Sequence, residues 1–444
     1  MAEAAWWCEY AVIDSEVRSG VLVSAADGII ADIQADQQPP ANAQRLAGIV
    51  LPGIANCHSH AFHRALRGRT QAERGSFWTW REQMYSVAER LDPDSYYRLA
   101  RAAYAEMTLA GITAVGEFHY LHHGPGGRPY ADPNAMSRAL VEASGDAGLR
   151  ITLLDTCYVA GGIGQPLQGV QARFGDGDAD SWATRVDSLG TLPAHARLGA
   201  AAHSVRGVPA DQLPVLAAWA SEHEGPLHAH VSEQVAENEQ CIAAYGTTPV
   251  GVLDGAGLLG ERFSAVHATH LTDTDIQALG ASRSVACFCP TTERDLADGI
   301  GPARELTHAG SPLSLGSDSH AIVDPFEEAR AVELNTRLAS QARGHFTAAE
   351  LLQASTAAGH RSIGWGDAGE LRIGARADLV AVDTRSVRMA GFDLRSGLES
   401  VVFAASAPDV TDVIIDGVPV VQNHRHLLID DVPGEIAAAI GDLT

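Results

Sequence analysis

Between residues 49 and 366, short apolar runs alternate with amphipathic stretches, and this rhythm constrains the fold more than any other feature of the chain. The runs read as strands at Ile49–Asn56, Ala114–Phe118, Arg150–Tyr158, Leu198–Ala202, Pro226–Val231, Ser264–Ala268, Ser284–Phe288 and Leu313–Leu315. Between them, Tyr96–Ala110, Met136–Ala147, Asp211–Glu222, Thr248–Gly255 and Thr272–Leu279 read as helices, and Asp324–Ala339 follows the last strand. Eight strand–helix units predict a (β/α)8 barrel with its active site at the C-terminal strand ends; a doubly wound sheet shares the pattern, and strand count alone does not separate them.

The chain ends have a different texture. Tyr10–Ile13, Val21–Val23 and Ile29–Ile33 are short apolar stretches between Gly and Asp turns, as in small antiparallel sheets. The texture returns at Asp378–Asp383 and at Val413–Val421, a hairpin around Asp416-Gly417. The expected organisation is a small β-sandwich domain from residues 1–48 and 367–427, a catalytic barrel over 49–366, and a C-terminal tail or helix over 428–444. Gly161–Asp180, rich in Gly, Gln and Asp, is expected as a long surface loop.

A net charge of -24 argues against nucleic acid or an anionic membrane as partner. All 31 basic residues are Arg; the chain has no Lys. Its six cysteines form no CxxC pair, so neither a zinc knuckle nor a thioredoxin-type site is expected, and reduced thiols in a cytoplasm are the natural reading. The N-terminus lacks the basic start and apolar core of a signal peptide, and no run is apolar enough to span a bilayer. A cytoplasmic location is therefore expected.

Polar residues collect where the predicted strands end. His58 and His60 follow the first strand, His119 and Tyr120 the second, His203 and Arg206 the fourth. His228, His230 and Glu233 belong to the fifth, His267 and His270 to the sixth, Asp318 and His320 to the eighth. Side chains two apart in a strand share a face, so His58 and His60 converge on one point, and neutral imidazole is a common zinc ligand. The same period puts His228 and His230 on one face without choosing between them.

With His58-Ser59-His60, a His after each of strands 5 and 6, Gly316-Ser317-Asp318 after strand 8, and a β domain from both ends, the chain resembles the amidohydrolase superfamily. Phe77-Trp78-Thr79-Trp80-Arg81, Glu117-Phe118-His119-Tyr120 and Ala202-His203-Ser204-Val205-Arg206 resemble the formimidoylglutamate deiminases of histidine degradation. That resemblance implies hydrolytic deimination of N-formimidoyl-L-glutamate to N-formyl-L-glutamate and ammonia by a hydroxide generated on a metal. Its implied ligands are His58, His60, His230 and Asp318, holding one divalent ion, foremost Zn2+, with iron or manganese also compatible. Binuclear members bridge two ions with a carboxylated lysine, which a lysine-free chain cannot supply, although a bridging glutamate is a rarer route.

Asp318 is implied also to help deprotonate the water, Glu233 to protonate the imine nitrogen and then ammonia, and His267 to stabilise the attacking oxygen. Arg81 and Arg206 would fork onto the two substrate carboxylates, with Tyr120 and His203 as further donors. At His63 family members often carry a Gln; a His there retains a donor role. The resemblance also implies a homodimer. His119, His228, His270 and His320 are read as packed or hydrogen-bonded interior residues. Against these roles stand a solvated Glu233 opening a helix, Arg206 in a surface salt bridge, and Arg81 stacked on Trp78 or Trp80. Two other functions remain open: deamination of a purine-like ring, and a non-catalytic metal-binding regulator.

Overall fold

The computed structural model describes residues 3–71 and 77–443. Four strands open the chain: β1 (Glu3–Ile13), β2 (Glu16–Ala26), β3 (Ile29–Gln34) and β4 (Gln44–Pro52). Eight follow through the middle: β5 (Ile54–Ser59), β6 (Ile112–His119), β7 (Arg150–Cys157), β8 (Ala196–Ala202), β9 (Leu227–Val231), β10 (Phe263–His267), β11 (Val285–Phe288) and β12 (Leu313–Leu315). The last are β13 (Leu379–Val382), β14 (Val410–Ile415), β15 (Val418–Gln422) and β16 (Arg425–His426).

β5 to β12 form one parallel sheet in sequential order, each strand beside the next. The ends of that sheet meet: Asp318 N–H donates to His58 O at 2.9 Å and His60 N–H to Asp318 O at 3.3 Å, with Ser59 bridging Asp318 in parallel. The eight-stranded (β/α)8 barrel read from the sequence is therefore present. Apart from two residues near the start of β8, every barrel-strand residue is buried, since packed helices cover one face and barrel side chains fill the other.

The other eight strands make a second sheet, ordered β16-β15-β14-β13-β4-β1-β2-β3, joining both ends of the chain. It curls so that Ile30 N–H reaches Ala375 O at 2.8 Å, just before β13. Trp6, Cys8, Val21, Val23, Ile30, Leu379 and Ile414 fill its interior. The β14–β15 hairpin turns at Asp416 (φ 51°) and Gly417 (φ 76°), the positive-φ pair that a two-residue turn needs. Among the described residues no helix is long and apolar enough to cross a membrane.

Two sequence expectations are corrected. The run Ile49–Asn56 is not one strand: β4 carries it to Pro52 in the terminal sheet, and β5 starts at Ile54 in the barrel. The break is at Gly53, where an added β-carbon would lie 2.4 Å from Thr113 Oγ1 and 2.7 Å from Asp378 Cβ. Apolarity is continuous because both sheets bury their part of the run, so hydropathy cannot register the crossing. Nor is Gly161–Asp180 simply a surface loop. It contains a turn of 3-10 helix at Gly169–Arg173, and Arg173 and Phe174 are each 1% exposed. Arg173 donates to the carbonyls of Ala88, Leu91 and His123, fastening the segment beneath the helix Phe77–Arg90. The C-terminal stretch contains the helix Val432–Gly441, tied to Pro93–Leu109 by Arg101–Glu435 at 2.5 Å.

Candidate metal centre and active-site pocket

His58 lies in β5 and His60 follows it, His230 lies in β9, and Asp318 follows β12 across the barrel seam. One ligand atom from each falls within 4.8 Å of the others, and all four residues are buried. His60 Nδ1 is 2.8 Å from Phe118 O and His230 Nδ1 is 2.8 Å from His203 O. A carbonyl only accepts, so each Nδ1 carries the proton and each Nε2 turns a lone pair inward. His230 Nε2 lies 3.1 Å from His58 Nε2, and Asp318 Oδ1 is 3.4 Å from His58 Nε2 and 3.3 Å from His60 Nε2. Burial lowers the pKa of His58 to about 3 and also lowers those of His60 and His230, which favours the neutral, ligating form. Burial opposes ionisation of Asp318, but the His58 hydrogen bond and nearby imidazoles outweigh it and keep the carboxylate charged. Converging lone pairs and one carboxylate fit a single divalent cation.

Local backbone strain accompanies this convergence. Ser232, His267, Ala268, Asp318 and His320 have positive φ although none is glycine, and all follow or end a barrel strand. Such conformations persist where surrounding contacts enforce them and are common at active sites. Beneath the ligands, Glu117 on β6 accepts from Ser59 Oγ at 2.8 Å and Ala61 N–H at 2.6 Å. Burial pushes its pKa up to about 8. Glu117 thus braces the His58-x-His60 turn and is outside the ligand group, unlike a bridging glutamate. His320 Nε2 meets Ser59 Oγ at 2.9 Å and supports the same turn.

His60, His230 and Asp318 of the metal group line a pocket that opens at the strand ends. Its wall contains His63, Arg81, Tyr120, His203, Arg206, Glu233 and His267, so every expected substrate or catalytic side chain faces one cavity. His63 Nε2 and Tyr120 OH are 3.0 Å apart, pairing two expected substrate donors. Arg81 lies over the Tyr85 ring at 5.6 Å; the side chains of Phe77 and Trp78 are outside the description. Arg206 is not in the surface salt bridge considered from sequence. It is in the pocket wall, with Nη2 3.1 Å from Glu233 Oε2 and Nε 3.8 Å from Glu237 Oε2. Burial disfavours a charged His267, but Glu233, Glu293 and Asp318 outweigh that cost and favour imidazolium.

The ambiguity at β9 is resolved by depth. His228 shares the face of His230 but lies lower, with Nε2 3.0 Å from Ser362 O, and is outside the ligand group. His119 is wholly buried beside His122 and outside the pocket. His270 instead uses its backbone, donating to Ser232 O and accepting from Asn238. A second possible metal group, His119, His122 and Asp155, is already neutralised by Arg185, 2.7 Å from Asp155.

Sequence reasoning left the third and seventh strand ends empty, yet Tyr158 follows β7 into the pocket and Glu293 follows β11. Glu293 Oε1 is 3.5 Å from His267 Nδ1 and accepts Cys289 N–H at 2.8 Å. It therefore orients the imidazole. Completing the strand-end inventory would have found both residues. Glu237 was also missed; its signal was its place four residues beyond Glu233, in the first turn of Val235–Tyr245.

A closed parallel barrel that gathers three imidazoles and a carboxylate at its strand ends, beneath acid–base groups, defines a metal-dependent hydrolase. The chain belongs to the amidohydrolase family, whose family model matches residues 49–420. It is 37% identical over 416 residues to a formimidoylglutamate deiminase of Pseudomonas aeruginosa, covering 90% of this chain and 91% of that one. It is 30% identical to a 5-methylthioadenosine/S-adenosylhomocysteine deaminase of Pelotomaculum thermopropionicum, covering 94% and 92% of the two chains. A crystal structure of an amidohydrolase from Brucella melitensis superimposes with a TM-score of 0.90 at 31% identity, covering 99% of both chains.

Proposed function

We propose that the protein hydrolyses the amidine C–N bond of N-formimidoyl-L-glutamate, yielding N-formyl-L-glutamate and ammonia. The observation carrying this reading is that Arg81 and Arg206 line the same pocket as the metal group and Glu233. Arginine matches carboxylate bidentately, and a dicarboxylate needs two such anchors. The relative with 37% identity bears the corresponding name. A purine ring would exploit stacking surfaces without requiring two arginines, so two arginines in one pocket wall favour the linear dicarboxylate.

His58, His60, His230 and Asp318 would hold the ion, with zinc favoured by three nitrogen donors and one oxygen. When bound, it supplies Lewis acidity that makes water nucleophilic near neutral pH. Asp318 Oδ2, 3.7 Å from His267 Nε2, faces the reaction space and accepts a proton from the attacking water. Protonated His267 stabilises negative charge developing on that oxygen. Glu233 carries the protons that the water gives up to the substrate nitrogen, first at the imine and then at departing ammonia. His63, Tyr120 and His203 orient the substrate as uncharged donors. We further propose a homodimer located in the cytoplasm.

The test is ammonia release from formimidoylglutamate by protein loaded with one equivalent of zinc, alongside adenosine, methylthioadenosine and guanine. Ammonia from formimidoylglutamate alone supports the reading. Release only from a purine would replace it.

A further inference from the structure

The residue expected to bind a substrate carboxylate and the residue expected to move the proton hold each other. Arg206 Nη2 is 3.1 Å from Glu233 Oε2, while Glu233 Oε1 remains 3.9 Å from His267 Nε2. Next to that contact, at Nε, Glu237 Oε2 is 3.8 Å from Arg206 and accepts Glu233 N–H at 3.2 Å. Glu237 is 2% exposed and its Oε1 has no hydrogen-bond partner. The two carboxylates differ in freedom. Glu237 is anchored in the first turn of its helix and by a backbone N–H, whereas Glu233 precedes the helix and projects into the cavity.

We propose that Arg206 is a carboxylate-exchange switch that releases Glu233 for proton transfer only when a substrate carboxylate takes its place, with Glu237 as the fixed positioning counter-ion. This rests on the proposed carboxylate-bearing amidine substrate. Glu237 faces Nε, so Glu233 and the incoming carboxylate compete for the Nη edge. A guanidinium presents that edge in a fixed fork, and a bidentate substrate carboxylate displaces a single-contact glutamate. Glu233 then turns toward the reacting nitrogen. Binding energy from a remote part of the substrate thereby appears in kcat, and an amidine without that carboxylate meets a restrained proton shuttle.

The probe is N-propylformamidine, an amidine without either carboxylate, with glutarate supplied separately and ammonia measured. For the wild type, glutarate is expected to raise kcat on this probe about tenfold, equivalent to ~1.4 kcal/mol. Arg206→Ala is expected to turn over the probe about tenfold faster than wild type and not to respond to glutarate. Arg206→Gln, which retains most of the packing volume, should behave similarly; metal content and thermal melting verify both folds. A probe rate in both variants no higher than wild type, or no glutarate activation of wild type, would overturn the switch. Wild-type activity on formimidoylglutamate separates the premises: activity there without a gain in the variants removes only the switch, whereas no activity removes the substrate reading.

Discussion

Replacing Gly316 with alanine tests whether the barrel seam sets metal affinity. Gly316 follows β12 and lies against β5, with its N–H donating to Phe288 O at 3.0 Å. Its φ is not left-handed, so alanine is conformationally permitted; the constraint is space. An added β-carbon would lie 2.7 Å from His58 Cβ, 2.8 Å from His58 O and 2.9 Å from His58 N. Two of these atoms are backbone, and Asp318 N–H bonding to His58 O holds that backbone in place. Carbon atoms prefer separations of roughly 3.5 Å or more, so β5 and β12 must part by about half an ångström or more. Overpacking costs about 1–3 kcal/mol, and a metal site tolerates only about 0.5 Å of ligand displacement. Since the strain separates His58 from Asp318, ion affinity should fall about 10- to 100-fold. Competition against a chromophoric chelator measures this change. Gly255→Ala, where nothing lies within 4 Å of the added atom, serves as the control. Wild-type affinity in Gly316→Ala would refute the argument that close approach at the seam sets ligand geometry.

Other perturbations separate the remaining roles. Glu233→Gln should retain the ion by metal analysis while lowering ammonia release about 10²- to 10⁴-fold; full turnover would contradict proton transfer by Glu233. Chelation should abolish activity and one equivalent of zinc should restore it; full activity in metal-free protein would contradict the proposed hydrolysis. For acid stability, burial pushes His122, His228 and His360 down to about 4. Unfolded histidines titrate near ~6.5, so the unfolded state binds more protons between about pH 6.5 and about pH 4. Stability should therefore fall as pH is lowered through that window, by up to ~3 kcal/mol per residue, as measured by denaturant unfolding. His228→Asn should reduce the slope by about one proton; an unchanged slope contradicts its buried-neutral state.

The predicted strands Ala114–Phe118, Leu198–Ala202 and Leu313–Leu315 lie within or match observed barrel strands, and the other runs after the first overlap theirs with one residue beyond an end. Their legibility follows from burial on both faces and polar residues where each strand leaves the barrel. Helices such as Ala179–Asp187 and Ala348–Ser355 were not assigned, because short amphipathic segments give weak periodicity. The side-chain constellation was more legible than its wiring. His58, His60, His230 and Asp318 could be named from strand ends and family likeness, yet no local pattern discloses Arg206 bound to Glu233 or Glu293 against His267. Those contacts join separate strand–loop units, and spacing within one unit does not report a distance to another.

By itself, the sequence determined the eightfold strand–helix alternation, the absence of lysine and the chemistry available at the strand ends. Those are properties of residue type and short-range periodicity. Tertiary structure decided that Gly53 passes the chain between sheets, that His230 rather than His228 reaches the ligand group, and that Asp318 meets His58 across the seam. The physical reason is closure. Alternation tells which face a side chain occupies, but height along the barrel and proximity across its seam arise only when β5 and β12 bond and fix all eight strands together.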